Sequence, residues 1–70
     1  MPEIIQNKVQ LYRKENKITQ EDLAQAVDVS RQTIIAIEKG NYTPSVLLAI
    51  KIANKFNRSV EEVFKIAYEK

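Results

Sequence analysis

The sequence contains no cysteine, no histidine and no tryptophan, and it has only one glycine. Without cysteine the chain can form no disulfide and no thiolate metal site, and without histidine it lacks the usual zinc and copper ligand. It also has no glycine-rich loop for phosphates and no paired carboxylates in a plausible cleft, which disfavours nucleophilic and metal chemistry. The sequence therefore predicts a protein that is not an enzyme and that needs no metal or cofactor.

Long hydrophobic runs are also missing. The longest spans residues 46–50, whereas a membrane-spanning helix needs about 20 apolar residues. The N-terminus lacks the basic start and apolar stretch of a signal peptide. We therefore expect a soluble cytoplasmic protein with no membrane partner.

The 70 residues predict a single domain over residues 1–70. A chain of this size buries only about 60% of its unfolded surface, so a lone monomer has marginal stability. Because 44% of the residues are hydrophobic, helix packing must supply the core. A partner subunit is one way to complete it.

Positive charge is concentrated in the middle of the chain. Residues 30–58 contain five Lys and Arg residues against one acidic residue, whereas residues 1–29 and 59–70 each carry a net charge of −1. Solvated lysines on amphipathic helices are the ordinary explanation for such a pattern. Combined with the helical pattern described next, the asymmetry favours a surface that faces phosphates.

Residues 19–39 have the pattern of two short helices joined by a tight turn. Small and apolar residues occupy the inward positions, namely Leu23, Ala24, Val27, Val29, Ile34 and Ile37. A break at residues 28–30 separates the two apolar faces, and Ala24 is small enough for two crossing helices to approach closely. This spacing predicts a helix-turn-helix, whose second helix can enter the DNA major groove.

Three further helices are predicted around this core. The first covers about residues 6–16, with Ile5, Val9 and Tyr12 on its inner face. Thr43 is expected to cap the fourth, with Pro44 at its first position. The predicted inner stripe of the fourth comprises Val46, Ala49, Ile50, Ala53 and Phe56, widened by Leu48 and Ile52. Ser59 is expected to cap a short fifth helix.

The helix-turn-helix helices also carry end signals. Thr19 is a good N-cap for the second helix, and Ser30 is a good N-cap for the third. Gly40 is expected to end the third helix in a left-handed conformation. Asp28 occupies the turn and can adopt the left-handed region at some cost.

The C-terminal segment is ambiguous. Phe64, Ile66 and Tyr68 alternate with Lys65, Ala67 and Glu69, which is the periodicity of a strand. Residues 3–6 also tolerate a strand and could pair with this segment. A continued helix and a two-stranded sheet are both left open by these residues.

The third helix has an outward face suited to reading bases. On a helical wheel Gln32, Ala36 and Lys39 point outward, flanked by Thr33 on one side and by Arg31 and Ile35 on the other. Gln can bond adenine and Arg can bond guanine in the major groove, while Thr and Ala can touch a thymine methyl group. The alternative is an ordinary solvated helix face. The preceding turn and helix favour DNA.

Two flanking groups could contact DNA as well. Gln20, at the start of the second helix, could hold a phosphate or reach a base edge. Lys39, Asn41, Tyr42 and Thr43 follow the third helix, where a loop could lie against the DNA backbone. An ordinary polar loop is the alternative for these four.

Glu38 is predicted to face the interior, where an unpaired carboxylate is costly. Arg13, beside Tyr12 on the first helix, is the plausible partner for a bidentate ion pair. Such a pair would be structural rather than catalytic.

Taken together, these residues resemble the XRE family of phage Cro and repressor-like helix-turn-helix regulators. The likeness runs from about residue 7 to residue 64, and its segments are 19–24, 29–34, 37–40, 44–45 and 52–53. The size and both termini look most like small stand-alone members such as the cytolysin-type repressor. The termini of that protein form a small antiparallel sheet, which favours the sheet here.

The resemblance implies an all-α fold, a compact five-helix lambda-repressor-like DNA-binding domain, with the small terminal sheet as a possible addition. It implies a homodimer that binds a roughly palindromic operator on double-stranded DNA as a transcriptional regulator, most often a repressor. It places Gln20, Arg31, Gln32, Thr33 and Ala36 at base-contacting positions and an Arg13–Glu38 pair inside. Asp28 departs from the family pattern, which usually has glycine at this position.

A protein-interaction module, such as the antitoxin partner of a toxin or a coactivator-like adaptor, is the second hypothesis. Leu11 and Leu47 lie outside the predicted stripes and, with Ile4, could form an apolar patch for a partner. A homodimer interface explains the same patch equally well.

Overall fold

A computed structural model describes residues 2–68. The elements follow in the order β1 (Glu3–Asn7), α1 (Val9–Glu15), α2 (Gln20–Ala26), α3 (Arg31–Glu38), α4 (Val46–Lys55), α5 (Val60–Val63) and β2 (Phe64–Tyr68). The helices surround one apolar core, and the two strands pair antiparallel. The predicted fold of five helices is confirmed, including the small sheet.

Hydroxyl side chains begin helices α2 to α5. Each accepts a hydrogen bond from the backbone N–H of the third helical residue, and the four capping residues are Thr19, Ser30, Ser45 and Ser59. These bonds satisfy N–H groups that have no partner within the first turn. The prediction that Thr43 caps the fourth helix is wrong. Ser45 Oγ accepts from the N–H of Leu48 at 3.2 Å, and Pro44 therefore precedes the cap.

Two of these caps are reciprocal. The carboxylate of Asp22 accepts the backbone N–H of Thr19, and the carboxylate of Glu62 accepts that of Ser59. These backbone hydrogen bonds lower the pKa of Asp22 and the pKa of Glu62 below their ordinary values. Both carboxylates therefore stabilise the fold when ionised, above the unfolded-state pKa. This contribution is lost as the pH falls through the folded-state pKa.

Helices α1 to α4 end in the same hydrogen-bond pattern, the Schellman motif. At the end of α1, Lys17 N–H donates to the carbonyl of Lys14 at 3.1 Å and Ile18 N–H donates to that of Arg13 at 3.2 Å. The left-handed residues of the four motifs are Lys17 (φ 57°), Asp28 (φ 63°), Gly40 (φ 81°) and Asn57 (φ 57°). The left-handed conformations predicted for Asp28 and Gly40 are therefore confirmed.

Lys17 is the least suited of these four residues to a left-handed backbone, because its Cβ meets a carbonyl oxygen there. We expect Lys17→Gly to raise the free energy of unfolding by about 0.5–1 kcal/mol, after allowing for the greater freedom of unfolded glycine. The measurement is urea unfolding followed by circular dichroism. The matched control Lys14→Gly lies within α1 and should destabilise by about 1 kcal/mol. Destabilisation by both variants would contradict this account of Lys17.

Most of the core comes from the helix-turn-helix and the helices packed behind it. The buried cluster comprises Val9, Tyr12, Leu23, Ala24, Val27, Ile34, Ile37, Leu48, Ile52, Ala53, Phe56 and Val63. Val29 is partly buried against this cluster. The inward positions predicted between residues 23 and 37 are therefore confirmed.

The predicted inner stripe of α4 is partly wrong. Val46 is 76% exposed and Ile50 is 44% exposed, whereas Leu48 and Ile52 are buried. Both faces of this helix carry aliphatic residues, so the periodicity alone does not fix which face packs inward. The contacts with the other helices select the face containing Leu48 and Ile52.

The sheet pairs the two ends of the described chain, from Glu3 opposite Tyr68 to Asn7 opposite Phe64. Glu69, which belongs to the predicted alternation, lies outside the described residues. The predicted start of the first helix is wrong, because residues 6 and 7 belong to β1 and Ile5 is therefore not on a helical face. Asn7 marks the boundary: its Oδ1 accepts the N–H of Val9 at 3.2 Å.

An apolar surface remains where the sheet meets α4. Ile5, Val46 and Ile50 line a groove of about 260 Å³, and Ile66 lies directly opposite Ile5 on the same face of the sheet. We call these four exposed residues the apolar face. Leu11, Leu47 and Ile4, the residues predicted to form a patch, are also exposed.

Candidate nucleic-acid interface

Helix α3 separates a buried side from an open side. Ile34 and Ile37 are fully buried, whereas Arg31, Gln32 and Lys39 are exposed. The predicted contact residues Thr33 and Ala36 are partly exposed, as is Ile35. The side chains that a DNA groove could reach are therefore those predicted by the helical wheel to point outward.

The start of α3 is fixed by a hydroxyl pair. Ser30 Oγ accepts the backbone N–H of Thr33 at 3.2 Å, and the two hydroxyl oxygens lie 3.1 Å apart. This arrangement holds Thr33 beside the cap. Arg31 and Thr33 both belong to the first turn of the helix, where recognition helices contact bases.

Helix α2 packs against α3, and a small residue of α2 is buried beside the turn that joins them. Ala24 is 1% exposed, and its carbonyl accepts the N–H of Val29 at 3.0 Å across the turn. Asp28 supplies the left-handed residue of this turn, and its Oδ2 accepts from Lys51 Nζ at 3.3 Å. The turn is thus tied to α4 as well as to α2.

An ion pair joins α1 to the end of α3. Arg13 Nε donates to Glu38 Oε2 at 2.7 Å, and Arg13 Nη2 donates to Glu38 Oε1 at 3.3 Å. The side chains are only 11% and 4% exposed. Arg13 Nη1 also donates to the carbonyl of Ile18 at 3.1 Å. The structure thus contains the bidentate pair expected from the sequence, with the guanidinium bonded on both edges.

Gln20 completes this cluster. Its Nε2 donates to Glu38 Oε1 at 3.0 Å, which fixes the orientation of the carboxamide at the start of α2. A carboxamide nitrogen carries two hydrogens, so one N–H remains for another acceptor. The bond links the beginning of α2 to the end of α3, and no local pattern in the sequence predicts it.

A cationic cleft opens beside Gln20. This cleft of about 600 Å³ is lined by Lys14, Lys17 and Arg31 together with Gln20 and Glu21. Lys14 and Lys17 are not among the site residues predicted from the sequence. Their only signal was the polar end of the first helix, which is common to many surface helices.

The loop after α3 begins directly after Glu38, the last residue of that helix. Lys39, Asn41, Tyr42 and Thr43 are all exposed, and Tyr42 retains 47% of its surface. The Schellman bonds at Gly40 hold the start of this loop, since Asn41 N–H donates to the carbonyl of Ala36 at 2.9 Å. The four loop residues are therefore open to a ligand and lie next to the exposed face of α3.

This geometry is that of a helix-turn-helix with an open second helix. A family model described as helix-turn-helix matches residues 9–63. The chain belongs to this family. The resemblance to XRE-type regulators predicted from the sequence is confirmed, and membership of the family agrees with the expectation of a non-enzyme.

Similar proteins extend this assignment. An uncharacterized HTH-type transcriptional regulator of Methanocaldococcus jannaschii is 55% identical over 60 residues, covering 86% of this chain and 91% of the relative. The uncharacterized HTH-type transcriptional regulator YgzD of Bacillus subtilis is 46% identical over 65 residues, covering 93% of this chain and 98% of YgzD. Both relatives therefore share nearly their whole length with this helix-turn-helix chain.

Solved structures show the same fold at lower identity. The clp gene regulator ClgR of Corynebacterium glutamicum superimposes with a TM-score of 0.73 at 24% identity, covering 77% of this chain. This helix-turn-helix chain spans 57% of the ClgR chain. Among residues 2–68, no helix is both long and apolar enough to cross a membrane.

Proposed function

We propose that this helix-turn-helix protein is a transcriptional repressor that binds a specific double-stranded DNA site as a homodimer. The observation that carries the proposal is the division of α3, whose apolar residues are buried while Arg31 and Gln32 are exposed. A helix held in this way by α2 can insert its exposed side into a major groove. This role implies a cytoplasmic location, as the sequence predicts.

The side chains on α3 suit direct readout of bases. The carboxamide of Gln32 can bond adenine N6 and N7, and the guanidinium of Arg31 can bond guanine O6 and N7. Ala36 and the methyl group of Thr33 offer apolar contact to a thymine methyl group. Ala36 is also small, so that the middle of α3 can approach the base edges closely.

Residues at the start of α2 and in the loop after α3 can hold the DNA backbone. Gln20 has one amide N–H that is not used by Glu38, and this group is suited to a phosphate oxygen or, if the helix lies deeper, to a base edge. The loop after α3 supplies one ammonium group and three neutral donors, from Lys39, Asn41, Tyr42 and Thr43. Contacts of this kind fix the register of a protein on DNA.

A homodimer is supported by the apolar face, formed by Ile5, Val46, Ile50 and Ile66. Pairing two copies of this surface would bury aliphatic side chains that are 38% to 76% exposed in the single chain. A two-fold dimer binds a site with two-fold symmetry, with half-site centres about 34 Å apart when the helices enter successive major grooves. The apolar face is thus our proposed dimer interface.

Repression requires no further surface. A dimer bound over a promoter excludes polymerase by occupancy, so the DNA interface and the dimer interface are sufficient.

Selection of binding sites from random duplex DNA at near-physiological salt tests the proposal. We expect enrichment of a two-fold symmetric sequence with half-sites about one helical turn apart. Affinity for the selected site should be in the nanomolar range and should fall steeply with added salt, because counterions are released from phosphates. Recovery of no enriched sequence would contradict sequence-specific binding.

A single substitution on α3 tests the readout. Gln32→Ala should reduce affinity for the selected operator by about 1–3 kcal/mol per half-site and relax the preference at one base pair. The measurement is a titration of operators that differ at each position. Gln25→Ala is the matched control. Gln25 is exposed on α2, and it lines neither the cationic cleft beside Gln20 nor the groove at the apolar face. Equal effects of both variants would count against Gln32 as a base-contacting residue.

An unrelated protein partner is the alternative occupant of the apolar face, as in an antitoxin. Purification from the native host distinguishes the two. A homodimer with no second protein supports the repressor, whereas a stoichiometric unrelated protein supports the interaction module.

A further inference from the structure

A second cationic cleft lies between β1 and the end of α3. It has a volume of about 810 Å³, and its lining includes three lysines, namely Lys8, Lys39 and Lys65. Lys8 follows β1, Lys39 caps the end of α3 and Lys65 lies on β2. Three segments that are distant in sequence thus bring ammonium groups to one opening.

The charge of this cleft is not cancelled by its acidic residues. Glu38 contributes to the lining, but its two oxygens already accept from Arg13 and Gln20. Glu3 is the other acidic residue of the lining. Among residues 2–68, the ion pairs involve none of the three lysines. The cleft therefore has an excess of positive charge.

The two lysines outside α3 are held in a fixed position relative to it. Asn7 Nδ2 donates to the carbonyl of Ile37 at 2.8 Å, which ties β1 to the last turn of α3. The backbone N–H of Lys8 donates to the carbonyl of Val63 at 2.8 Å. Lys65 lies opposite Gln6 in the sheet register. The two-stranded ribbon is thus anchored directly to the proposed recognition helix.

The cleft is also continuous with the loop proposed to contact the DNA backbone. Lys39, Gly40 and Thr43 line it, and Lys39 and Thr43 are two of the four loop residues. A DNA strand whose phosphates contact this loop would continue past the ribbon. Duplex DNA carries closely spaced phosphates on each strand, so neighbouring lysines can each meet one.

We propose that Lys8 and Lys65 bind phosphates of duplex DNA that flanks the segment read by α3, so that the ribbon extends the footprint of each subunit. This inference depends on the proposed DNA-binding function. Such contacts carry no base specificity, and they add affinity that is equal for all flanking sequences.

The test compares the double variant Lys8→Gln/Lys65→Gln with the unmodified protein on the selected operator. Loss of two phosphate contacts should reduce the slope of log affinity against log salt by about 2 per bound subunit. Between 50 and 200 mM salt, the unmodified protein should therefore lose about tenfold more affinity per subunit than the variant. Both lysines are exposed, so the thermal unfolding of the variant should match that of the unmodified protein.

Lys55→Gln is the control for net charge. Lys55 is exposed on α4 and does not line this cleft, so Lys55→Gln should leave the salt slope almost unchanged. If the double variant lowered the salt slope, per charge removed, by no more than Lys55→Gln does, the inference would be overturned. Failure of the unmodified protein to bind duplex DNA would instead contradict the proposed function.

A second readout locates the contacts. Ethylation of phosphates outside the half-site should weaken binding of the unmodified protein and should have no effect on the double variant. A duplex trimmed to the edge of the half-sites should likewise abolish the affinity difference between the two proteins. Interference confined to phosphates within the half-site would overturn the inference.

Discussion

Replacing Glu38 with leucine is expected to lower the free energy of unfolding by about 3–5 kcal/mol. The change leaves the guanidinium of Arg13 buried without a carboxylate, and it also removes the acceptor of Gln20. A loss of this size is comparable with the total stability of a small domain. Urea unfolding at neutral pH, followed by circular dichroism, measures the effect.

The double variant Arg13→Met/Glu38→Leu is the control for this prediction. Replacing both members of a buried ion pair with apolar residues is often neutral, because no charge is left unpaired. We therefore expect the double variant to recover most of the stability lost in Glu38→Leu. If it were as unstable as the single variant, the loss would come from packing rather than from an unpaired charge.

The second large effect is expected at the apolar face. Ile50→Asp should convert the proposed dimer to a monomer, because it places a charge in the middle of the surface that two copies share. Affinity for the full operator should fall by about 10²–10⁴-fold, since each monomer then binds one half-site without the other. Sedimentation measures the oligomeric state, and electrophoretic mobility shifts measure the affinity.

Leu11→Asp is the matched control for this second prediction. Leu11 is 51% exposed on α1, similar to the 44% of Ile50, and it does not line the groove. This variant should remain dimeric and should bind the operator as the unmodified protein does. A monomeric Leu11→Asp beside a dimeric Ile50→Asp would place the interface elsewhere on the molecule.

The helix-turn-helix could be predicted because its signals are local. Leu23, Ala24 and Val27 fall on one face of α2, and Ile34 and Ile37 fall on one face of α3, with polar residues elsewhere. Each helix can bury these residues in only one rotational orientation about its own axis. The hydroxyl caps and the Schellman glycine are also local, and most of them were predicted.

The errors arise where the sequence offers two equivalent choices or where the partner is distant. Val46, Leu48, Ile50 and Ile52 give α4 aliphatic residues on both sides, so its orientation depends on the helices around it. Lysine has no special preference for a left-handed backbone, and nothing local signals that Lys17 adopts one. Strand β1 exists only because β2 lies beside it.

The residues of the candidate site also divide into those with local signals in the sequence and those that depend on distant contacts. The exposed residues of α3 were predicted from the helical wheel, and the Arg13–Glu38 pair was predicted from the cost of a lone buried carboxylate. The bond from Gln20 to Glu38 and the placement of Lys8 and Lys65 beside α3 join residues far apart in sequence. Such placements depend on the assembled fold and not on any local pattern.

The ribbon of β1 and β2 also constrains the order in which the molecule assembles. Its strands lie at opposite ends of the described chain, so their pairing closes a loop that contains every helix. The entropic cost of closing this loop becomes small only after the helices have formed and brought the two strands closer together. We therefore expect the ribbon to form last in folding and to open before the helices do in the native ensemble.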